Sequence, residues 1–214
     1  MKLILFLLLA ISVAGCSTTP PHKSVADPDK KWEQRKTVLS GINHWVINGR
    51  LALINGDESW HMNLKWQRHG DMYVLDLSGP FGTGHTQLTG SKGNVLLVDA
   101  EQNYFYADSP DRLLQEVTGL QIPVKSLLYW INGIPDWNVK VDNQRLDAFG
   151  RLAELRQSDW NIRYKKYIYV KEHELPQKIF IDGFNLKVKI FIDEWELKDN
   201  VTSKDNLTKS GKDV

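Results

Sequence analysis

Between Trp60 and Gln67 apolar and polar side chains alternate without a break. Trp60, Met62, Leu64 and Trp66 fall on one side, His61, Asn63, Lys65 and Gln67 on the other. A period of two belongs to an extended strand with one buried face, since a helix would scatter these residues around its circumference. Shorter runs of the same kind occupy residues 48–54, 72–77, 85–89, 95–98 and 104–107, with a turn expected at 68–71 around Gly70. The pattern resumes at 137–141, 151–157, 160–170, 177–181 and 185–192. In the last run Leu186, Val188, Ile190 and Ile192 alternate with Lys187, Lys189 and Phe191, and Asp182-Gly183 before it is a hairpin signal.

Three helices accompany the strands. The first is expected from Asp27 as cap and Pro28 in the first turn, through Trp32, Arg35, Lys36 and Leu39, to a stop at Gly41. Ser109-Pro110-Asp111 opens the second, with Leu113, Leu114 and Val117 on one side and Gly119 as its end. Residues 126–132 make the third, carrying Leu127, Leu128, Trp130 and Ile131 before Gly133 and Pro135. A segment so apolar around its circumference is either well buried or covers something apolar. Together the elements predict a mainly β fold: a strongly bent antiparallel sheet, closed or nearly so, with helices over one face or mouth. The pattern leaves open whether its interior is a packed core, the commoner case, or a cavity.

Placement is written at the start of the chain. Lys2, an apolar stretch from Leu3 to Val13 and Val13-Ala14-Gly15-Cys16 read as a secretory signal ending in a lipobox, cleaved between Gly15 and Cys16. The stretch falls short of the roughly 20 residues that span a bilayer. Residues 1–15 are thus expected to be removed, and Cys16 to carry acyl chains that anchor the protein. Ser17 at the second mature position suits passage to the outer membrane. Residues 16–30, polar and proline-containing, are expected as a flexible tether, 31–197 as a single domain and 198–214 as a polar, disordered tail. Without Lys2, its one charged residue, the signal's removal turns 27 basic against 26 acidic residues into an even balance, giving no basic footprint for nucleic acid. Cys16 is the single cysteine, so no disulfide forms within the chain and packing must hold the fold, with eight tryptophans contributing.

No reactive constellation stands out. The six histidines lack metal-ligand spacing, and neither a GxSxG elbow nor a P-loop occurs. Asp108 and Asp111 flank a helix start, where capping explains them. No catalytic residue, metal or cofactor is expected, and an enzyme is the least favoured class. The unusual segment is Gly79-Pro80-Phe81-Gly82-Thr83-Gly84, an aromatic residue in a turn. Phe81 either folds back to plug the sheet end or projects toward a membrane or partner.

An ordered set of segments resembles the LolB family of outer-membrane lipoprotein receptors. It comprises the lipobox at Cys16, Asn48-Gly49-Arg50-Leu51-Ala52, Leu64-Lys65-Trp66-Gln67, Gly79-Pro80-Phe81-Gly82, residues 93–99, residues 120–127 with Trp130-Ile131-Asn132-Gly133-Ile134-Pro135, and Trp195 in the closing strand. The resemblance implies a half-open antiparallel β-barrel with a lid of short α-helices around a hydrophobic cavity. It implies a receptor that takes acylated lipoproteins from the periplasmic carrier LolA and inserts them into the inner leaflet of the outer membrane. The residues then expected to line an acyl-binding cavity are Trp60, Met62, Leu64, Trp66, Leu75, Leu77, Leu127 and Trp130. Gly79, Pro80, Phe81 and Gly82 become a membrane-insertion loop, with Phe81 where the family commonly bears leucine. A monomer is expected. The rival readings are a structural or assembly lipoprotein with a packed core and a soluble carrier of the same fold, the lipobox arguing against the carrier.

Overall fold

A computed structural model describes residues 24–198. The signal segment, Gly15, Cys16 and the tail beyond Lys198 lie outside the described residues. The first helix, α1 (Pro28–Ser40), starts as its sequence dictates: the Asp27 carboxylate accepts the Lys30 amide at 2.9 Å, Pro28 occupies the first turn, and Trp32 and Leu39 are buried. Ahead of it, the Val25 amide donates to the Ala148 carbonyl at 3.0 Å, so the body grips the chain from that point.

Six strands follow as a meander: β1 (His44–Asn55), β2 (Glu58–His69), β3 (Met72–Ser78), β4 (Thr86–Ser91), β5 (Asn94–Val98) and β6 (Tyr104–Ala107). Helices α2 (Pro110–Thr118) and α3 (Val124–Trp130) then carry the chain to a second meander, β7 (Val141–Leu146), β8 (Leu152–Gln157), β9 (Trp160–Val170), β10 (His173–Gly183) and β11 (Leu186–Leu197). Because β11 pairs with β1, the two meanders fuse into one antiparallel sheet of 11 strands, ordered β6-β5-β4-β3-β2-β1-β11-β10-β9-β8-β7. Strands β6 and β7 are its two edges, so the sheet is open rather than closed, and the crossover helices α2 and α3 cover its inner face.

The core follows from the alternation. On β11, Leu186, Val188, Ile190 and Ile192 are all buried. Trp45 on β1 meets Trp66 edge-on at 5.5 Å and Trp195 at 5.7 Å, and the Trp195 indole donates to the Pro176 carbonyl at 2.9 Å. Gly49, at the β-bulge between β1 and β11, has no room for a side chain: a Cβ there would sit 2.2 Å from the Phe191 carbonyl oxygen.

Two expectations shift. Residues 137–141 are expected as a strand, but 137–139 form a turn, in which Asp136 accepts the Asn138 and Val139 amides, and only Val141 is extended, as the first residue of β7. The strand β7 lies beyond it, in an exposed polar stretch with no alternation to announce it. The final hairpin turns not at Asp182-Gly183 but at Phe184 and Asn185, with φ of 49° and 60°. Gly183 is paired with Leu186, and its missing side chain serves packing, since a Cβ would fall 2.7 Å from the Trp160 ring.

Candidate functional site: an apolar cavity beneath two helices

Strand pairing brings the inward residues of β2 beside those of its neighbours. Leu64 lies opposite Leu77 and Trp66 opposite Leu75 on β3; Leu75 in turn faces Leu88 on β4, and Leu88 faces Leu97 on β5. On the other side Met62 lies opposite Leu51 and Trp60 opposite Leu53, which continue to Ile190 and Val188 on β11. These side chains do not close on one another. They leave a cavity of about 470 Å³, roofed by Leu114 and Thr118 of α2, by Leu120 and Ile122, and by Val124 and Leu127 of α3. That size suits a small-molecule or lipid site. Leu64 and Trp66 are buried in its floor, whereas Trp60 is 39% exposed and stands with Glu58 and Asn55 toward the end of the β1–β2 hairpin.

The roof is held by polar ties. Arg68, next inward on β2, donates to the Leu128 carbonyl of α3 and to the Gly70 carbonyl, both at 3.0 Å, with its guanidinium over the Tyr129 ring. Burial lowers its pKa from the usual arginine value. Asp111 of α2 accepts the Lys125 amide in the first turn of α3, so one helix caps the other. Burial is the main influence that raises the Asp111 carboxyl above the usual range. Behind the roof, Gln157 accepts the Trp130 indole N–H at 2.9 Å and donates to the carbonyls of Asp136 and Val139.

Seven of the eight residues expected around a cavity, Trp60, Met62, Leu64, Trp66, Leu75, Leu77 and Leu127, line this one. Trp130 does not. It is 1% exposed, turned from the cavity into the core by its bond to Gln157, and it packs near Trp160. The further lining from β1, β4, β5, β11 and α2 is not legible in sequence, because strand register, absent from any single run, decides which alternating residues meet.

The Phe81 loop is ordered by its own hydrogen bonds. Gly79 donates to the Thr83 carbonyl at 2.6 Å, Thr83 Oγ1 to the Pro80 carbonyl at 3.0 Å, and Asn63 of β2 to the Gly79 carbonyl at 3.3 Å. A Cβ on Gly79 would meet Thr83 Oγ1 at 2.8 Å, and Gly82 takes a φ of 77°. Phe81 between them has a φ of 62° and is fully exposed, at 104% of its reference area. It does not plug the sheet. Among the described residues no group of side chains is arranged to hold a metal ion, and no helix is long and apolar enough to cross a membrane.

Residues 43–195 match the family model described as outer membrane lipoprotein LolB. The chain belongs to the LolB family. It is 34% identical to the outer-membrane lipoprotein LolB of Nitrosococcus oceani over 181 residues, covering 85% of this chain and 90% of that one. It is 35% identical to that of Pseudomonas syringae pv. syringae over 186 residues, covering 86% and 89%. Among solved structures, a LolA-superfamily protein from Nitrosomonas europaea shares the fold of this chain with a TM-score of 0.50 at 8% identity, over 83% of this chain and 95% of that one. A DUF1329-family protein from Desulfovibrio piger does so with a TM-score of 0.54 at 6% identity, over 82% and 95%.

Proposed function

We propose that this LolB-family protein is an outer-membrane receptor that accepts acylated lipoproteins from the periplasmic carrier LolA and inserts them into the inner leaflet of the outer membrane. In this reading residues 1–15 are removed and Cys16 is lipidated; the tether expected over 16–30 is shorter, because Val25 is bonded to Ala148 and α1 starts at Pro28, so the residues ahead of Val25 tether the body, which faces the periplasm. The observation that carries it is the leucine- and tryptophan-lined cavity under α2 and α3. At about 0.8 kcal/mol per CH₂, one long acyl chain crossing water bare costs on the order of 10 kcal/mol, and a dry cavity removes that exposure.

Transfer then runs downhill through three apolar environments, from carrier cavity to this cavity to bilayer. A receptor that binds acyl chains more tightly than the carrier but less tightly than the membrane needs no nucleotide. Phe81 serves the last step: its side chain, inserted into lipid, gains about 1.5–3 kcal/mol, enough to bring the body to the bilayer without fixing it there.

The test mixes a soluble Cys16→Ala form lacking residues 1–15 with carrier loaded with a labelled triacylated lipoprotein, without nucleotide, and then separates the two proteins. The label is expected on this protein. Label that stays on a carrier shown to release to an authentic receptor overturns the proposal.

A further inference from the structure

Phe81 is not the only aromatic residue displayed on a left-handed backbone. Among the described residues, seven non-glycine positions have positive φ: Phe81, Gln102, Ser158, Asp159, Lys171, Phe184 and Asn185. Five are polar, as expected where a short side chain hydrogen-bonds locally or a long one reaches water. The two apolar ones are both phenylalanine and both exposed, Phe184 at 54%. Phe184 and Asn185 are the central pair of the β10–β11 hairpin, where both φ values are positive, as in a type I′ turn. Asn185 suits that turn and Phe184 does not: asparagine or glycine would adopt its φ of 49° with less strain. A bulky apolar side chain kept on strained backbone and in water asks for a use.

Strand direction carries both phenylalanine turns toward one end of the sheet. Strands β1, β3 and β10 run in the same sense, because each is two antiparallel steps from the next: β3 through β2, β10 through β11. All three therefore run toward the same end, β3 stopping at Ser78 opposite Asn63, five residues short of Glu58. There β10 turns at Phe184, β1 turns at Gly56 and Asp57, and β3 leads into the Phe81 loop. The register row Gly183, Leu186, Asn55 and Glu58 crosses that end, and Asn55 and Glu58 belong to the cavity wall. The half-exposed Trp60 stands on the same rim. Two of its turns carry an exposed phenylalanine, while the β1–β2 turn carries the exposed Asp57 and Glu58; two apolar tips beside the cavity match a lipid bilayer.

We infer that Phe184 is a second membrane-contacting tip, which enters the bilayer alongside Phe81 and seats the cavity end of the body on the membrane during delivery. This rests on the proposed membrane role of the Phe81 loop. Two separated contacts fix an orientation where one leaves the body free to rotate, and their contributions multiply once the first is made. The competing account is local: Phe184 also leans on Trp160, with ring centroids 5.5 Å apart, and would then be a turn residue covering a core tryptophan.

The experiment uses the full lipid-anchored chain in vesicles of phosphatidylethanolamine and phosphatidylglycerol. Cys16 carries the lipid, so a cysteine introduced by Phe184→Cys or Phe81→Cys is the reactive thiol, and it receives an environment-sensitive dye. Quenching of the dye at 184 by a lipid-borne quencher supports the proposal. Quenching at 81 with none at 184 overturns it and leaves the Phe81 reading standing; no quenching at either position overturns both. Phe184→Asn supplies the functional arm. Because asparagine relieves the turn, the variant is expected to melt no lower than the parent while cargo delivery from loaded carrier to vesicles falls about tenfold. A lower melting temperature with unchanged delivery assigns Phe184 to the Trp160 contact alone and overturns the proposal.

Discussion

Arg68 and Leu128 join the floor of the cavity to its roof: the guanidinium on β2 donates to the backbone carbonyl on α3 at 3.0 Å. Arg68 also spends a bond on Gly70 and lies over Tyr129, so it is placed to hold α3 down while itself half-buried. Replacing it with methionine keeps the apolar stem and removes the charged donor. The account predicts a loss of about 1.5–3 kcal/mol, the usual worth of a charge-assisted hydrogen bond. It also predicts faster amide hydrogen exchange in 124–130 than in β1 or β11. Uniform acceleration over the whole sheet would place Arg68 in global stability rather than in the roof.

Leu77 tests the cavity. It faces inward opposite Leu64 and lines the site. In Leu77→Asp an entering acyl chain must bury an unpaired carboxylate, a penalty of several kcal/mol, so affinity for an apolar fluorescent probe is expected to fall by about 100-fold or more. Leu77→Met conserves volume and polarity and is expected to bind as the parent does. Titration of the probe against the three proteins reads this directly.

Phe81→Gly separates folding from delivery. Glycine adopts the φ of 62° freely, so thermal unfolding is expected to be unchanged or slightly raised. Uptake of labelled cargo from the carrier is expected to persist, while its passage into vesicles slows. A loss of uptake would instead assign the loop to contact with the carrier.

Asp111 gives a pH dependence with a definite sign. Its carboxyl is held above the ordinary range chiefly by burial, so the folded protein keeps the proton at pH values where the unfolded chain has released it. Folding binds a proton in that window, and this group's contribution falls as pH rises from the ordinary carboxylate range through the raised folded value. Asp111→Asn removes that fall and keeps an acceptor for the Lys125 amide. The stability of the variant relative to the parent is therefore expected to improve in denaturant titrations as pH rises from the ordinary carboxylate range. An offset that does not change with pH would contradict it.

The legible parts of the fold were those governed by local rules. Asp27 and Pro28 start α1, Gly119 ends α2 with a φ of 73°, and the Trp60–Trp66 alternation names the inner face of β2. What sequence could not show depends on pairing. β7 carries Asp142, Asn143, Gln144 and Arg145, all exposed, and exists because β8 offers it an edge. The turn moved to Phe184 because Trp160 needs the bare backbone of Gly183. Trp130 shares its helix with Leu127, yet its indole is drawn back to Gln157 while Leu127 reaches the cavity. In each case a pairing or packing partner on another element overrides the local signal.

The most direct test of acyl-chain binding exploits the period of two on β3. Leu75 and Leu77 line the cavity, and Asp76 between them points to the outer face, where it bonds to Gln87. A photoreactive side chain is placed at each of the three positions in turn, and the protein is illuminated with a lipoprotein bearing radiolabelled acyl chains. The account predicts crosslinks to the acyl chains from 75 and 77 and none from 76. Crosslinking from 76 alone, or from none of the three while cargo is bound, would contradict it.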